Sequence, residues 1–165
     1  MDDRGNRDYS RTPQVEDLVR ICRALNASSA RYLLIGGFAV IAHGAGRTTK
    51  DIDFLVDTSP DNVARIKEAL SVLADNAAAK LDDGDVARYS VIRVADEVIV
   101  DLLGIACGID YAEAAADQEI LEIEGVSIPM ASKATLIRTK DTVRPSDAAD
   151  TQFLRALIEA EESEP

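Results

Sequence analysis

The sequence predicts an α+β domain (mixed α/β) built on a mixed β-sheet, with helices packed mainly on one face and more helices at the C-terminal end. Short β-branched runs alternate with amphipathic segments of helical period, and two pairs of runs have hairpin spacing. The 165 residues contain no internal repeat and no Gly/Ser/Pro-rich linker. We therefore expect one domain over residues 13–160, with a flexible segment at 1–12 and an acidic tail at 161–165.

The N-terminal half begins with a capping signal. Thr12 and Pro13 are typical of an N-cap and a first helical position, and apolar residues then recur at helical spacing. After this helix, short apolar runs and glycines predict a strand, a short helix and a second strand, and Ser59–Pro60 opens another helix. The predicted bounds are a helix over 13–26, a strand over 32–35, a helix over 38–43 and a strand over 51–57.

The C-terminal half contains two predicted hairpins. Segment 74–87 is ambiguous, with a turn expected at 82–85. The runs 89–94 and 98–103 form one hairpin, and 120–123 pairs with 126–128 across Glu124–Gly125. The remaining helices are predicted over 110–116, from 133 to about 141, and from Pro145 onward.

The composition argues against several classes of function. Lys and Arg total 18 against 30 Asp and Glu, a formal net charge of -12, and such a surface repels extended nucleic acid. No apolar run approaches the roughly 18–20 residues of a membrane span, and the N-terminus lacks a signal-peptide core. We expect a cytoplasmic protein with no membrane partner. The single His and two distant Cys give no zinc spacing.

Three aspartates point to a metal site. Asp51 and Asp53 share one face of a strand because side chains alternate along it. Asp101 lies within an apolar β-rich run, where a buried carboxylate needs a partner. Three carboxylates converging from neighbouring strands form an oxygen-rich site that suits Mg²⁺ or Mn²⁺.

Glycines and cations near these acids suggest a phosphate site. Gly36 and Gly37 stand between a strand and a helix, where the backbone can approach a phosphate and helical N–H groups are free. Arg47 precedes the acidic pair and could bind a phosphate through charge-assisted hydrogen bonds. Lys133, at the start of a later helix, is a further candidate.

Each feature also has an ordinary structural explanation. A Gly–Gly pair is commonly only a turn, strand-end aspartates are commonly solvated, and Asp101 could lie on a polar strand face. His43 before Gly44 suits a helix end better than a general base, and Lys133 alone would be a solvated lysine. The combination favours a site because it is far less expected by chance than any single member.

The segment from Leu33 to Asp57, LLIGGFAVIAHGAGRTTKDIDFLVD, resembles the nucleotidyltransferases of the DNA polymerase β superfamily. The likeness lies in Gly-Gly on a strand-to-helix turn, a spacer over 38–50, and Asp-h-Asp-h on the next strand, where h is an apolar residue. Asp101 matches the family's third carboxylate. Arg47, Thr48 and the trailing helices resemble the bacterial branch that holds the AbiEii-type toxins of type IV toxin–antitoxin systems.

This resemblance implies Mg²⁺-dependent transfer of a nucleoside monophosphate from an NTP, such as ATP, to a hydroxyl. The aspartates 51, 53 and 101 would bind the metal (Mg²⁺ or Mn²⁺). The nucleotide would contact Gly36, Gly37, Arg47, Thr48 and Lys133.

A second motif of the same branch is matched by Arg144–Pro145–Ser146–Asp147 with Asp150. For these two aspartates a capping or surface role is favoured over a place at the site.

The acceptor stays open among a small alcohol, a protein side chain and, ranked lower because of the charge, a tRNA end. One competing hypothesis is a catalytically silent module on the same fold that binds a nucleotide or a cognate protein partner. The other is an α+β domain whose acids coincide by chance. The intact set of carboxylates argues against a silent module, because a site without function has no reason to keep acids that repel one another.

Overall fold

The computed structural model describes residues 10–164. Its first half contains α1 Val15–Ala27, β1 Tyr32–Ile35, α2 Gly36–Ala42, β2 Asp51–Val56, α3 Pro60–Leu70, a 3₁₀ turn Ala77–Lys80 and α4 Asp85–Arg88. Its second half contains β3 Ile92–Ala95, β4 Ile99–Leu103, β5 Ile105–Ala106, β6 Ile109–Asp110, α5 Tyr111–Ala115, β7 Glu119–Ile123, β8 Val126–Met130, α6 Lys133–Thr139 and α7 Pro145–Glu162.

One six-stranded sheet, in the order β3-β4-β2-β1-β8-β7, organises the domain. Strand β2 runs antiparallel to β1 and parallel to β4, while β8 runs parallel to β1. The two outer pairs, β3 with β4 and β7 with β8, are antiparallel hairpins. The predicted mixed sheet and both predicted hairpins are therefore confirmed.

The core lies along the two central strands. All four residues of β1 are buried, and the apolar positions of β2 are buried as well. Tyr32 and Phe54 meet edge to face with ring centroids 5.3 Å apart, a favoured aromatic geometry. The apolar face of α1 contains Leu18, Cys22 and Leu25, all buried, and this helix packs on α3 and β8. A rigid centre of this kind fixes the position of anything carried at the end of β2.

Helix α1 begins later than the capping signal predicts. Its N-cap is Gln14 rather than Thr12. The Asp17 carboxylate accepts the backbone N–H of Gln14 at 2.7 Å and also receives two bonds from the Arg11 guanidinium. This reciprocal cap satisfies the free helix end two residues beyond the proline.

Helix α2 begins earlier than predicted, at Gly36 instead of residue 38. The strand ends at Ile35 and the helix follows with no loop between them. Gly36 has φ +72°, a conformation that glycine adopts without steric cost. The chain therefore turns within one residue, and both glycines belong to the first helical turn.

The ambiguous segment folds around a buried carboxylate. Asp96 is 3% exposed and accepts backbone N–H groups from Asp75 and Ala77. The predicted turn at 82–85 leads into the short helix α4, and the N–H of Tyr89 bonds back to Asp85. Strand β3 consequently starts at Ile92, later than predicted.

The structure describes part of each predicted terminal segment, 1–12 and 161–165. Ser10 donates to the carbonyl of Asp96, and Arg11 pairs with Asp17 and Glu97. Residues 1–9 of the predicted flexible segment lie outside the described residues. Helix α7 continues to Glu162, into the predicted acidic tail, whose last residue is also outside them. None of the helices within residues 10–164 has the length and apolar character to cross a bilayer.

Candidate active site

Three aspartates meet at one end of the sheet. Asp53 on β2 stands directly opposite Asp101 on the parallel strand β4, and Asp51 is two residues earlier on β2. One carboxylate oxygen from each residue lies within 4.8 Å of the others. Asp101 is 6% exposed, and the other two are partly buried. Asp101 is therefore buried among the acids instead of lying on a solvated strand face.

An arginine that sequence reasoning missed contacts two of these acids. Arg93 on β3 pairs in register with Asp101. Its Nε donates to Asp101 Oδ1 at 2.9 Å, and its Nη2 donates to Asp101 Oδ2 at 2.9 Å and to Asp51 Oδ2 at 3.2 Å. The guanidinium thus supplies positive charge on the side of the cluster nearest β3.

The close approach of the three acids shifts the pKa values of Asp51 and Asp53. Burial, followed by the charges of Asp51 and Asp101, raises the pKa of Asp53 to about 8. Burial and the charge of Asp101 also raise the pKa of Asp51. Arg93 opposes this because its positive charge lowers the pKa of Asp51, and its hydrogen bonds to Asp101 raise its own pKa. The cluster therefore remains short of positive charge when all three groups are ionised.

The two glycines lie against this cluster. A Cβ built on Gly36 would stand 2.1 Å from Asp53 Oδ2, and one on Gly37 would stand 2.6 Å from Thr49 Oγ1. Only a residue without a side chain fits at either position. The absence of side chains leaves the first turn of α2 directly beside the acids, and both glycines line the cleft described next.

A cleft of about 410 Å³ opens in front of the acids, and basic residues form part of its lining. Arg47 Nη1 donates to Asp150 Oδ2 at 2.5 Å, and Lys140 Nζ lies 3.0 Å from the same oxygen. Lys140 is 8% exposed, whereas about a third of the Arg47 side chain is exposed. A buried lysine in the lining of the cleft was not predicted from the sequence.

Asp147 also pairs with basic residues of the cleft lining. It accepts hydrogen bonds from Thr142 Oγ1 and from Arg144 Nε, the latter at 2.8 Å, and Lys140 Nζ lies 3.6 Å away. Although burial opposes ionisation, these partners lower its pKa. The preferred interpretation of Asp147 and Asp150 as capping or surface residues is wrong: they are 3% and 4% exposed, and the N-cap of α7 is Arg144.

Two predicted nucleotide contacts lie elsewhere among the described residues. Lys133 Nζ pairs with Glu161 at 3.1 Å and with Glu119 at 3.5 Å, and it does not line the cleft. Thr48 is exposed next to Arg47, while Thr49 lines the cleft. His43 is the C-cap of α2, as the helix-end interpretation predicts. Burial and the nearby Lys133 lower its pKa.

The acidic cluster has the chemistry of a divalent metal site. Its donors are all carboxylate oxygens, which are the ligands that Mg²⁺ and Mn²⁺ prefer. The oxygens are close enough to share one ion, and burial together with the charges of Asp51 and Asp101 raises the pKa of Asp53. The residues present therefore fit such an ion.

The comparisons with known proteins agree with this geometry. The family model for the nucleotidyl transferase AbiEii toxin of the type IV toxin–antitoxin system matches residues 18–154. No curated protein matches the chain in sequence.

Two crystal structures share the fold at 14% identity. The lincosamide antibiotic adenylyltransferase LnuA, solved with lincomycin bound, has a TM-score of 0.60, with 89% of this chain and 99% of that chain covered. A Thermotoga maritima protein provisionally described as a nucleotidyltransferase has a TM-score of 0.54, with 88% and 92% covered. These likenesses show the fold. By the match over residues 18–154, the chain belongs to the AbiEii nucleotidyltransferase family.

Proposed function

We propose that this protein is a Mg²⁺-dependent nucleotidyltransferase that moves a nucleoside monophosphate from an NTP to a hydroxyl acceptor. The observation that carries the proposal is the convergence of Asp51, Asp53 and Asp101 within 4.8 Å of one another, in a cleft whose lining also carries cations. The reaction would join the acceptor oxygen to the α-phosphorus and break the bond from that phosphorus to the bridging oxygen, releasing pyrophosphate.

The three carboxylates would hold the ion. A bound divalent ion would neutralise negative charge at the reacting phosphate and lower the pKa of the acceptor hydroxyl. The protein's own task is to keep the carboxylates aligned, which the paired strands β2 and β4 do by register. Gly36 and Gly37 would let the triphosphate approach the backbone, because any side chain there would collide with Asp53 or Thr49.

Arg47 and Lys140, which line the same cleft, would contact the triphosphate. Both already bind the Asp150 carboxylate, so they are held in position before a nucleotide arrives. Phosphate oxygens can replace that carboxylate as acceptors for the same N–H groups. Lys140 takes the role that the sequence suggested for Lys133, because only Lys140 lines the cleft.

The acceptor is proposed to be a small alcohol or a protein side chain rather than a tRNA end. Val91, Leu103 and Ala106 give the cleft an apolar stretch beside the acids, which suits an acceptor with an apolar body. The net charge of -12 disfavours an RNA backbone. The toxin–antitoxin family further suggests a cognate protein partner, and the NTP donor suggests a cytoplasmic setting.

Pyrophosphate release tests the proposal. Purified protein with Mg²⁺ and each of ATP, CTP, GTP and UTP should release pyrophosphate with at least one of them once an acceptor is supplied. Asp53→Asn should abolish the release and the accompanying thermal stabilisation by nucleotide. The matched control is Asp61→Asn, since Asp61 is an exposed acid paired with Arg65 on α3. Full activity of Asp53→Asn would overturn the metal assignment.

A further inference from the structure

Arg93 bonds to two of the three carboxylates that are proposed to hold the divalent ion. Its guanidinium bonds both oxygens of Asp101 and one oxygen of Asp51, so two of the three carboxylates already have a cationic partner. These acids are the set whose oxygens lie within 4.8 Å of one another. A metal ion and the guanidinium would therefore compete for the same acceptors.

The Asp101 carboxylate has little room to bind the Arg93 guanidinium and a metal ion at the same time. Its side chain is 8% exposed, so few directions of approach remain to its oxygens. Arg93 takes one position on each oxygen in a two-pronged arrangement that fixes the carboxylate plane. An incoming ion has to displace at least part of this interaction.

The Arg93 side chain has room to move away from the acids. It lies on β3, an edge strand of the sheet, and its side chain is 55% exposed. The guanidinium can therefore turn into solvent or into the cleft, which it lines, without leaving a buried unpaired charge. The three acids, by contrast, stay close to one another because their strands are held in register.

We propose that Arg93 is a built-in counter-cation that holds the acidic cluster together before the metal arrives and competes with the metal for Asp51 and Asp101. This inference rests on the metal site of the proposed function. Arg93 is a positioning residue in this role: it keeps the carboxylates in place in the metal-free state and sets the metal concentration at which the site fills.

Metal affinity without nucleotide tests the inference directly. The free Mn²⁺ remaining in a titration is measured by electron paramagnetic resonance for the wild type and for Arg93→Met. Loss of the competing hydrogen bonds to these charged groups should tighten Mn²⁺ binding on the order of tenfold. Arg93→Lys, which keeps the charge but not the fork, should fall between the two.

Arg138→Met is the matched control. Like Arg93, Arg138 has a side chain that is more than half exposed (57%), and it pairs with an acid, Glu113, at 2.9 Å. It is not among the residues that line the cleft. It corrects for the general effect of removing one positive charge, and its Mn²⁺ affinity should stay within about twofold of wild type, given the screening of exposed charges.

The outcomes separate the two proposals. Tighter binding in Arg93→Met, including binding that appears only in that variant, supports the inference. Equal or weaker binding in Arg93→Met, with clear binding by the wild type, overturns the inference alone. No Mn²⁺ binding by any variant overturns the metal centre and the inference with it. A second readout guards against misfolding: Mn²⁺ should raise the melting temperature of Arg93→Lys more than that of the wild type.

Discussion

Replacement of Gly36 by alanine should disable the acidic cluster through one methyl group. The ideal Cβ lies 2.1 Å from Asp53 Oδ2 and 2.8 Å from Asp53 Cγ. Contacts under 3.0 Å are essentially never adopted by real Cβ atoms, so the carboxylate oxygen has to move by at least about 0.9 Å. A displacement of roughly 1 Å at a reacting centre can cost about a hundredfold in rate.

The substitution also strains the backbone, and Gly125→Ala isolates that effect. Gly36 has φ +72° and Gly125 has φ +78°, so a methyl group costs about 1–2 kcal/mol at either position. No atom lies within 4 Å of the ideal Cβ of Gly125. Gly125→Ala should therefore lose this amount of stability, a melting-point shift of about 2–8 °C, and keep its metal affinity and activity.

Three measurements compare the variants: urea unfolding, Mn²⁺ binding and pyrophosphate release. If the clash in Gly36→Ala moves the backbone, overpacking adds about 1–3 kcal/mol to the strain. If Asp53 rotates instead, the added cost is small. By either route Mn²⁺ affinity and turnover should fall sharply in Gly36→Ala alone. Wild-type metal binding and turnover in a folded Gly36→Ala protein would refute the assignment of Asp53.

Three further predictions concern titration, charge pairing and thiols. Because the pKa of Asp53 rises from 3.8 to about 8, the native state retains a proton that the unfolded state has lost; the free energy of unfolding of the metal-free protein should therefore fall from about pH 4 to about pH 8. Urea unfolding at several pH values measures this, and Asp53→Asn or saturating Mg²⁺ should flatten the profile. Lys140→Met removes one cationic partner from each of two buried carboxylates, which keep Arg47 and Arg144, and should cost about 1–3 kcal/mol, whereas Lys133→Met, which loses exposed acidic partners, should cost about 0–1 kcal/mol in the same assay. Burial raises the pKa of Cys22 to about 12 while Cys107 is exposed, so a native thiol titration should find one fast group, and two fast groups would contradict the packing of α1.

The acidic cluster could be predicted from the sequence because alternation and register fix it. Asp51 and Asp53 share a strand face in any β conformation. Asp101 lies on the next strand with a strong apolar pattern, and parallel pairing sets it beside Asp53. Prediction of the three aspartates therefore required only the strand assignments and no knowledge of the loops.

Arg93 was missed because of a small difference in hairpin register. A hairpin closed by Val94 and Val98, the ends of the two predicted runs, would place Asp101 opposite Val91. The observed pairing starts one residue further, with Ala95 opposite Ile99. This shift brings Arg93 opposite Asp101, and the buried Asp96 accounts for it by fixing the turn through three backbone N–H groups.

Lys140 was missed because the sequence shows a helix but not which end reaches the cleft. Lys133 and Lys140 are separated by seven residues, or roughly 10 Å along a helix axis. Both are compatible with a cationic helix end, and the choice depends on how α6 packs against α7. Such tertiary packing leaves no local signal in the chain.

The charges in the cleft explain how a protein of net charge -12 could bind a triphosphate. Arg93 is paired with the acids of the cluster, and Arg47 and Lys140, also in the lining of the cleft, are paired with Asp150. In the proposed function, the nucleotide with its metal exchanges both sets of partners, because phosphates take the cations while the metal takes the acids. Affinity then depends on how well each internal pair is replaced, and long-range repulsion by the surface contributes little at physiological salt, where screening acts within about 8 Å. The same pairs hold these side chains in position, so the groups that would bind the nucleotide are in place before it arrives.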